Sequence, residues 1–159
     1  MANDKALRAQ IAKFLDWEEA HVGFETAVRG IPASKRGVVP EGWEYSAWQL
    51  VEHIRIAQTD ILEFCRTAKY KAKKWPDDYW PKSPAPRPSA AWAASIAQIR
   101  KDRKALQQVA KNPAIDLAAE IPHGSGQTYL RELLLVADHT AYHVGEIVVL
   151  RRQLGIWKR

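Results

Sequence analysis

Cysteine is almost absent from this chain, since Cys65 is the only one among its 159 residues. A single thiol excludes an internal disulfide and any metal site built from several cysteines, and it suits a reducing compartment. The chain also lacks a basic-then-apolar leader, and no uninterrupted run approaches the ~18 apolar residues that cross a membrane. We therefore expect a cytoplasmic protein with no membrane partner.

Composition gives no reason to divide the chain into several domains. Hydrophobic residues make up 47% and charged residues 26%, which is ordinary for a globular protein. There is no internal repeat and no sign of a domain boundary. A chain of this length buries roughly two-thirds of its unfolded surface, so it can form a core unaided. We expect one domain that spans residues 1–159.

The formal net charge is +6, which raises the question of a polyanionic partner. The basic residues are dispersed along the chain and match no motif that reads DNA bases. A solvated basic surface explains the charge more simply. The sequence therefore predicts no specific nucleic-acid partner.

Four stretches carry the 3.6-residue apolar spacing of amphipathic helices, and none alternates like a strand. The predicted helices are 3–29 capped by Asn3, 47–68 behind a Ser46-x-x-Gln49 capping box, 89–111 capped by Ser89, and 128–154 ended by Gly155. Four such helices predict an all-α four-helix bundle. Two connections, 32–45 and 69–88, are long enough to be crossover or functional loops.

The fourth predicted helix carries two histidines one turn apart, His139 and His143. This spacing places both imidazoles on one face, ~6 Å apart along the axis. They share that face with Val136 and Ile147, so they point toward the core. A buried imidazole without hydrogen bonds costs about 1–3 kcal/mol. Either a metal ion or side chains from neighbouring helices could partner the pair.

A third histidine, His53, lies in the second predicted helix on a face with Ala57 and Phe64. Two helices of one bundle could therefore bring three imidazoles to one point. Three histidines with open positions for water are typical of catalytic metal sites, whereas structural zinc sites are normally closed by four protein ligands. Asp60, two turns beyond His53, is too distant to be a further ligand. We expect it to pair with an arginine.

Other metal sites fit the ligand pattern poorly. A carboxylate-bridged di-iron site needs Glu-x-x-His on two helices, and only Glu18 and His21 have that spacing. The zinc-protease pattern needs a glutamate directly after the first histidine, where this chain has Thr140.

Three residues near the predicted site are candidates for catalysis, each with a simpler alternative. Glu146 could accept a proton or be a solvated helix residue. His21 could be a fourth ligand, a proton carrier or a pocket wall. Gln49 could orient His53 or serve only in the capping box. The aromatic loop that contains Trp75 and Trp80 could cover the site or pack against the end of the bundle.

Three segments carry a family resemblance: Ser46-Ala-Trp-Gln-Leu-Val-Glu-His, the loop Trp-Pro…Tyr-Trp-Pro, and Ala137-Asp-His-Thr-Ala-Tyr-His-Val-Gly-Glu. With these the chain resembles the DinB superfamily, also called DinB/YfiT-like. The resemblance implies a four-helix bundle with a divalent ion such as Zn, Ni, Fe or Mn on His53, His139 and His143. Relatives often have Gly-Gln where this chain has Gly145-Glu146.

The resemblance and the histidines together predict a metal-dependent enzyme of the hydrolase or thiol-dependent S-transferase type. Its substrate would be a small molecule, with a low-molecular-weight thiol as one candidate. The alternative is a non-enzymatic helical protein whose metal is structural or sensory. Exposed apolar residues on long helices further predict a homodimer.

Overall fold

The computed structural model describes residues 2–158, and side chains from Asp4 onward. Its α-helices are α1 Ala2–Phe14, α2 Phe24–Val28, α3 Ala47–Arg66, α4 Ala91–Lys111 and α5 Tyr129–Gln153, with a 3-10 turn at Ala33–Lys35. Within the described residues there is no strand, and a single isolated bridge pairs Glu120 with Thr128. The predicted all-α class is confirmed.

The four long helices pack side by side as a bundle. α3 contacts both α4 and α5, α1 contacts α4, and the short α2 packs on α5. The core has two clusters of buried apolar side chains along the bundle axis. One contains Ile54, Ile99 and Ile147, and the other contains Leu62, Leu106 and Leu133. α3 and α5 run through both clusters, so residues on their facing sides are held rigidly.

The prediction of one helix over 3–29 is wrong. The chain leaves the helix after Phe14 and re-enters one at Phe24, with an irregular segment at 15–23 between them. The reason lies in burial. Leu15 and Phe24 are both buried, yet nine residues of continuous helix would place them on opposite faces. The break lets both side chains enter the core.

Two predicted helix ends are confirmed by their hydrogen bonds. Ser46 and Gln49 form the reciprocal capping box at the start of α3. Thr128 accepts the backbone N–H of Arg131 at the start of α5. The chain turns away from α5 at Gly155, whose φ of 67° is a left-handed conformation that glycine adopts without strain.

The predicted cap of α4 is wrong, and the predicted cap of α1 is not tested. The N-cap of α4 is Ala90, not Ser89, and no side chain caps it. Ala90 is already in a helical conformation and the N–H of Ala91 bonds to the carbonyl of Pro88, so a backbone turn starts the helix. α1 begins at Ala2, and the Asn3 side chain lies outside the described residues.

α5 is long and apolar enough to cross a membrane by length and composition, the one such helix in the described range. The sequence shows no uninterrupted apolar run here, because polar residues divide the helix. In the bundle, 44% of its most apolar window is buried. Core helices of folded domains pass the same criterion, so this observation is weak evidence for a membrane span.

Candidate metal centre

Three histidines from two helices converge at one point between α3 and α5. The Nε2 atom of His139 lies 3.0 Å from Nε2 of His53 and 3.2 Å from Nε2 of His143. The possible ligand atoms of the three residues all lie within 4.8 Å of one another. His53 and His143 are buried, and His139 is half-buried. α3 and α5 thus bring together the three histidines that the sequence predicts as metal ligands.

Hydrogen bonds fix which ring nitrogens carry protons. His53 donates from Nδ1 to the backbone carbonyl of Tyr79 at 2.9 Å. His143 donates from Nδ1 to Oε2 of Glu146 at 2.6 Å. In a neutral imidazole only one nitrogen is protonated, so both Nε2 atoms carry free lone pairs. His139 could donate its Nε2 proton to Nε2 of either His53 or His143 but not to both. The lone pair on the remaining Nε2 atom would then have no donor. A cation among the three nitrogens resolves this conflict.

The site keeps its imidazoles neutral at physiological pH. Burial, followed by the charges of His143 and His53, lowers the pKa of His139 from 6.5 to about 3. Burial and then His53 lower the pKa of His143 to about 4. Burial also lowers the pKa of His53. Because metal ligation requires the neutral imidazole, no proton has to be displaced before an ion binds.

The donor set fits a divalent transition metal. Imidazole nitrogen suits zinc, nickel, iron and copper. Among the described side chains, the converging group contains these three histidines and no further carboxylate, thiol or imidazole. Three protein ligands leave coordination positions open, as in catalytic zinc sites. The residues therefore fit a divalent ion that keeps room for a small molecule.

The aromatic loop between α3 and α4 covers one side of the site. The indole of Trp80 stacks on the imidazole of His53 with centroids 3.8 Å apart and planes 4° apart. Tyr45 stacks on Trp80, with centroids also 3.8 Å apart. With the Tyr79 carbonyl on Nδ1, the loop restrains both the plane and the tautomer of His53.

A cavity of about 410 Å³ borders two of the three histidines. His53 and His139 both line it, and so does Trp75, which is 68% exposed. Asp60 also lines this cavity and is buried. Its Oδ2 accepts the hydroxyl of Tyr79 at 2.7 Å and that of Tyr70 at 3.1 Å. The prediction that Asp60 pairs with an arginine is wrong, because two tyrosines of the loop between α3 and α4 donate to it instead.

The remaining candidates do not join the histidine cluster. His21 is exposed, its Nδ1 bonds to the carbonyl of Val22, and it lines a separate cavity of about 230 Å³. The side-chain oxygen of Gln49 accepts the Ser46 N–H in the capping box. Cys65 is buried, and burial raises the pKa of its thiol to about 12, so it is a poor nucleophile.

Sequence reasoning missed two groups that shape the site. The carbonyl of Tyr79 is a backbone atom, so no residue pattern could reveal it. Glu132 is buried and lines the cavity, and it lies seven residues before His139. Its spacing on the histidine face was a usable signal, since seven residues are close to two helical turns.

The profile of the DinB superfamily matches residues 16–147. The chain belongs to the DinB superfamily. The matched region includes all three histidines, the whole of α3 and α5 as far as Ile147. No curated protein and no solved structure matches the chain significantly.

Glu146 gives a first prediction for this DinB-superfamily protein. Replacing it with alanine removes the acceptor that orients the His143 ring and should weaken metal affinity about 10- to 100-fold. Glu146→Gln keeps an acceptor oxygen and should restore most of the affinity. Competition with a chromophoric chelator measures both values. Unchanged affinity in the alanine variant would show that Glu146 does not position the ring.

The metal-free protein should lose stability as the pH falls from about 6.5 toward about 4. Unfolded histidines titrate near 6.5, whereas folded His139 and His143 stay neutral down to about 3 and 4. The unfolded state therefore binds more protons in this window, and folding is disfavoured as pH falls. Urea midpoints with chelator, at about pH 7.5 and about pH 5, measure the drop. The variant His139→Asn/His143→Asn should show a smaller drop, and an equal one would contradict this origin.

Proposed function

We propose that this protein is a metal-dependent enzyme whose divalent ion is held by His53, His139 and His143. The observation that carries the proposal is that His53 and His139 belong to the ligand cluster and also line the cavity of about 410 Å³. A ligand in that cavity would lie directly beside the open positions of the ion. A purely structural metal has no need of such a cavity.

The chain's own residues have separate tasks in this proposal. Tyr79 and Glu146 hold the imidazole rings of His53 and His143 through their Nδ1 atoms. Trp80 covers His53 and keeps water from that face. Glu146 acts as a positioning residue, since its Oε2 is already engaged with His143. A bound divalent ion would supply Lewis-acid activation of water or a thiol near neutral pH.

Hydrolysis and thiol-dependent S-transfer both fit this arrangement. Hydrolysis would use water as the nucleophile, and S-transfer would use a low-molecular-weight thiol that enters with the electrophilic substrate. Cys65 is unsuited to the nucleophilic role, because its thiol is buried and lies outside the cluster. We therefore place the nucleophile on the substrate side rather than on the chain.

Two parallel assays test the enzyme proposal. Zinc-loaded and metal-free protein are compared on p-nitrophenyl acetate with water, and on 1-chloro-2,4-dinitrobenzene with 2-mercaptoethanol. We expect turnover in one of them that requires metal and is lost in His139→Asn. His123→Ala, which removes a histidine outside the cluster, is the matched control. Equal rates with and without metal in both assays would favour the alternative, a structural or sensory metal.

We further propose a cytoplasmic homodimer that binds a small molecule and no specific nucleic acid. Leu134, Tyr142 and Val149 are exposed on one side of α5, and Tyr142 is the most exposed of the three. Covering this stripe would remove apolar surface from water. Light scattering at tens of micromolar should give a dimer mass for the wild type and a monomer mass for Tyr142→Glu. A monomeric wild type would refute the dimer.

A further inference from the structure

The cavity beside the histidines ends in a pair of buried carboxylates. Asp60 and Glu132 both line it, and their residues are 5% and 3% exposed. Asp60 lies seven residues after His53 on α3, and Glu132 lies seven residues before His139 on α5. Both carboxylates are therefore about two helical turns, or ~10 Å, from the metal centre on facing helices.

One carboxylate oxygen at this end of the cavity has no partner. Oδ2 of Asp60 accepts two tyrosine hydroxyls, but Oδ1 is buried and has no hydrogen-bond partner in the part of the chain that the structure describes. Buried polar atoms in folded proteins are nearly always paired with protein, water or ligand. Because Asp60 lines the cavity, its unpaired oxygen points to a hydrogen-bond donor that the described residues do not supply.

The charges around the cavity indicate what kind of donor this is. Arg131 is the one lysine or arginine among the described residues that line the cavity, and its guanidinium is paired with Glu132 at 2.5 Å. Within residues 2–158, the Asp60 carboxylate has no cationic partner and bonds only to the two tyrosines. Phe64, Tyr70 and Trp75 line the same cavity, and aromatic faces attract cations. Excess negative charge and aromatic walls favour an ammonium group over a neutral donor and disfavour an anion.

We infer that the substrate of this metal centre carries a protonated primary amine, which Asp60 binds with support from Glu132 at the far end of the cavity. The inference rests on the proposed function, because it places the reacting end of the same molecule at the histidine cluster. The separation of two helical turns fits a flexible chain of several carbon atoms between the amine and the reacting group.

Two probes that differ at one end test the inference by calorimetry. 6-Aminohexane-1-thiol and 6-hydroxyhexane-1-thiol share a thiol for the ion and a chain that spans two helical turns, but only the first carries an ammonium. Zinc-loaded wild type should bind the aminothiol about tenfold more tightly, because a charge-assisted hydrogen bond is stronger than a neutral one. Asp60→Asn should remove this preference and leave the affinity for the hydroxythiol nearly unchanged.

A second variant and a control make the test specific. Glu132→Gln should reduce the preference for the amine and serves as the test if Asp60→Asn does not fold. Glu63→Gln removes an exposed carboxylate three residues from Asp60 and should keep the preference. Equal affinities for the two thiols in the wild type, or a preference that survives both cavity variants, would overturn the inference.

The same titrations separate this inference from the proposed function. Metal-free protein should bind both thiols more weakly than zinc-loaded protein if the ion is open to ligands. Thiol affinities that do not respond to zinc, combined with a preference for the amine that Asp60→Asn removes, would refute the open metal centre and support the amine site. Failure of both thiols to bind at all would overturn both.

Discussion

Zinc at about a thousand times its dissociation constant should raise the free energy of unfolding by about 4 kcal/mol, because the folded state alone binds the ion. The His139→Ala/His143→Ala variant should gain nothing, since a single imidazole remains at the site. The gain is measured by urea unfolding with and without zinc after chelator treatment. Removing His53 alone should have the same effect, because it supplies the only ligand from α3.

A matched control separates the cluster from histidines in general. His21→Ala removes an exposed histidine outside the ligand set, and it should keep the whole zinc-dependent gain. A gain that persists in the double variant would place the ion elsewhere. A gain lost in His21→Ala would show that the exposed histidine contributes a ligand.

Ile147→Ala should destabilise the protein by about 2–5 kcal/mol, because truncating a buried isoleucine leaves a cavity in a packed core. Ile147 is fully buried and lies one turn after His143 on α5. Chemical unfolding of the metal-free protein measures the loss. Since the histidines remain, the folded variant should still bind about one equivalent of zinc.

Leu7→Ala is the control on an exposed helix face. Leu7 is 56% exposed on α1, outside the stripe of α5 proposed for the dimer, and surface substitutions usually change stability by within about 0.5 kcal/mol. Similar losses for Ile147→Ala and Leu7→Ala would mean that the Ile147 side chain is no better packed than an exposed one. That result would contradict the packing of α5 in the bundle.

The helical fold and the convergence of three histidines follow largely from periodicity. The apolar stripe on the last helix and the face around His53 direct three imidazoles inward, and a bundle of long helices allows them to meet. The break at 15–23 does not follow. Each apolar residue there fits a helical spacing with some neighbour, and only the joint burial of Leu15 and Phe24 shows that a continuous helix is impossible.

The sequence does not predict the cavity, because its shape depends on the loop between α3 and α4. The sequence predicts an arginine partner for Asp60, yet Tyr70 and Tyr79 of that loop donate hydrogen bonds to it. The path of a proline-rich connection is set by contacts with the whole bundle, and local sequence gives no periodicity from which to derive it. Hence the convergence of the histidines could be predicted from the sequence, whereas the side chains and loop around them could not.

The most direct test of the metal centre is X-ray absorption spectroscopy of the zinc-loaded protein. The converging Nε2 atoms predict scattering from three imidazole nitrogens at Zn–N distances of about 2.0–2.1 Å. Water oxygen should fill the remaining coordination positions. Addition of 2-mercaptoethanol should then replace oxygen by sulfur near about 2.3 Å. A spectrum with four protein ligands that does not respond to the thiol, or with fewer than three imidazoles, would contradict an open three-histidine site.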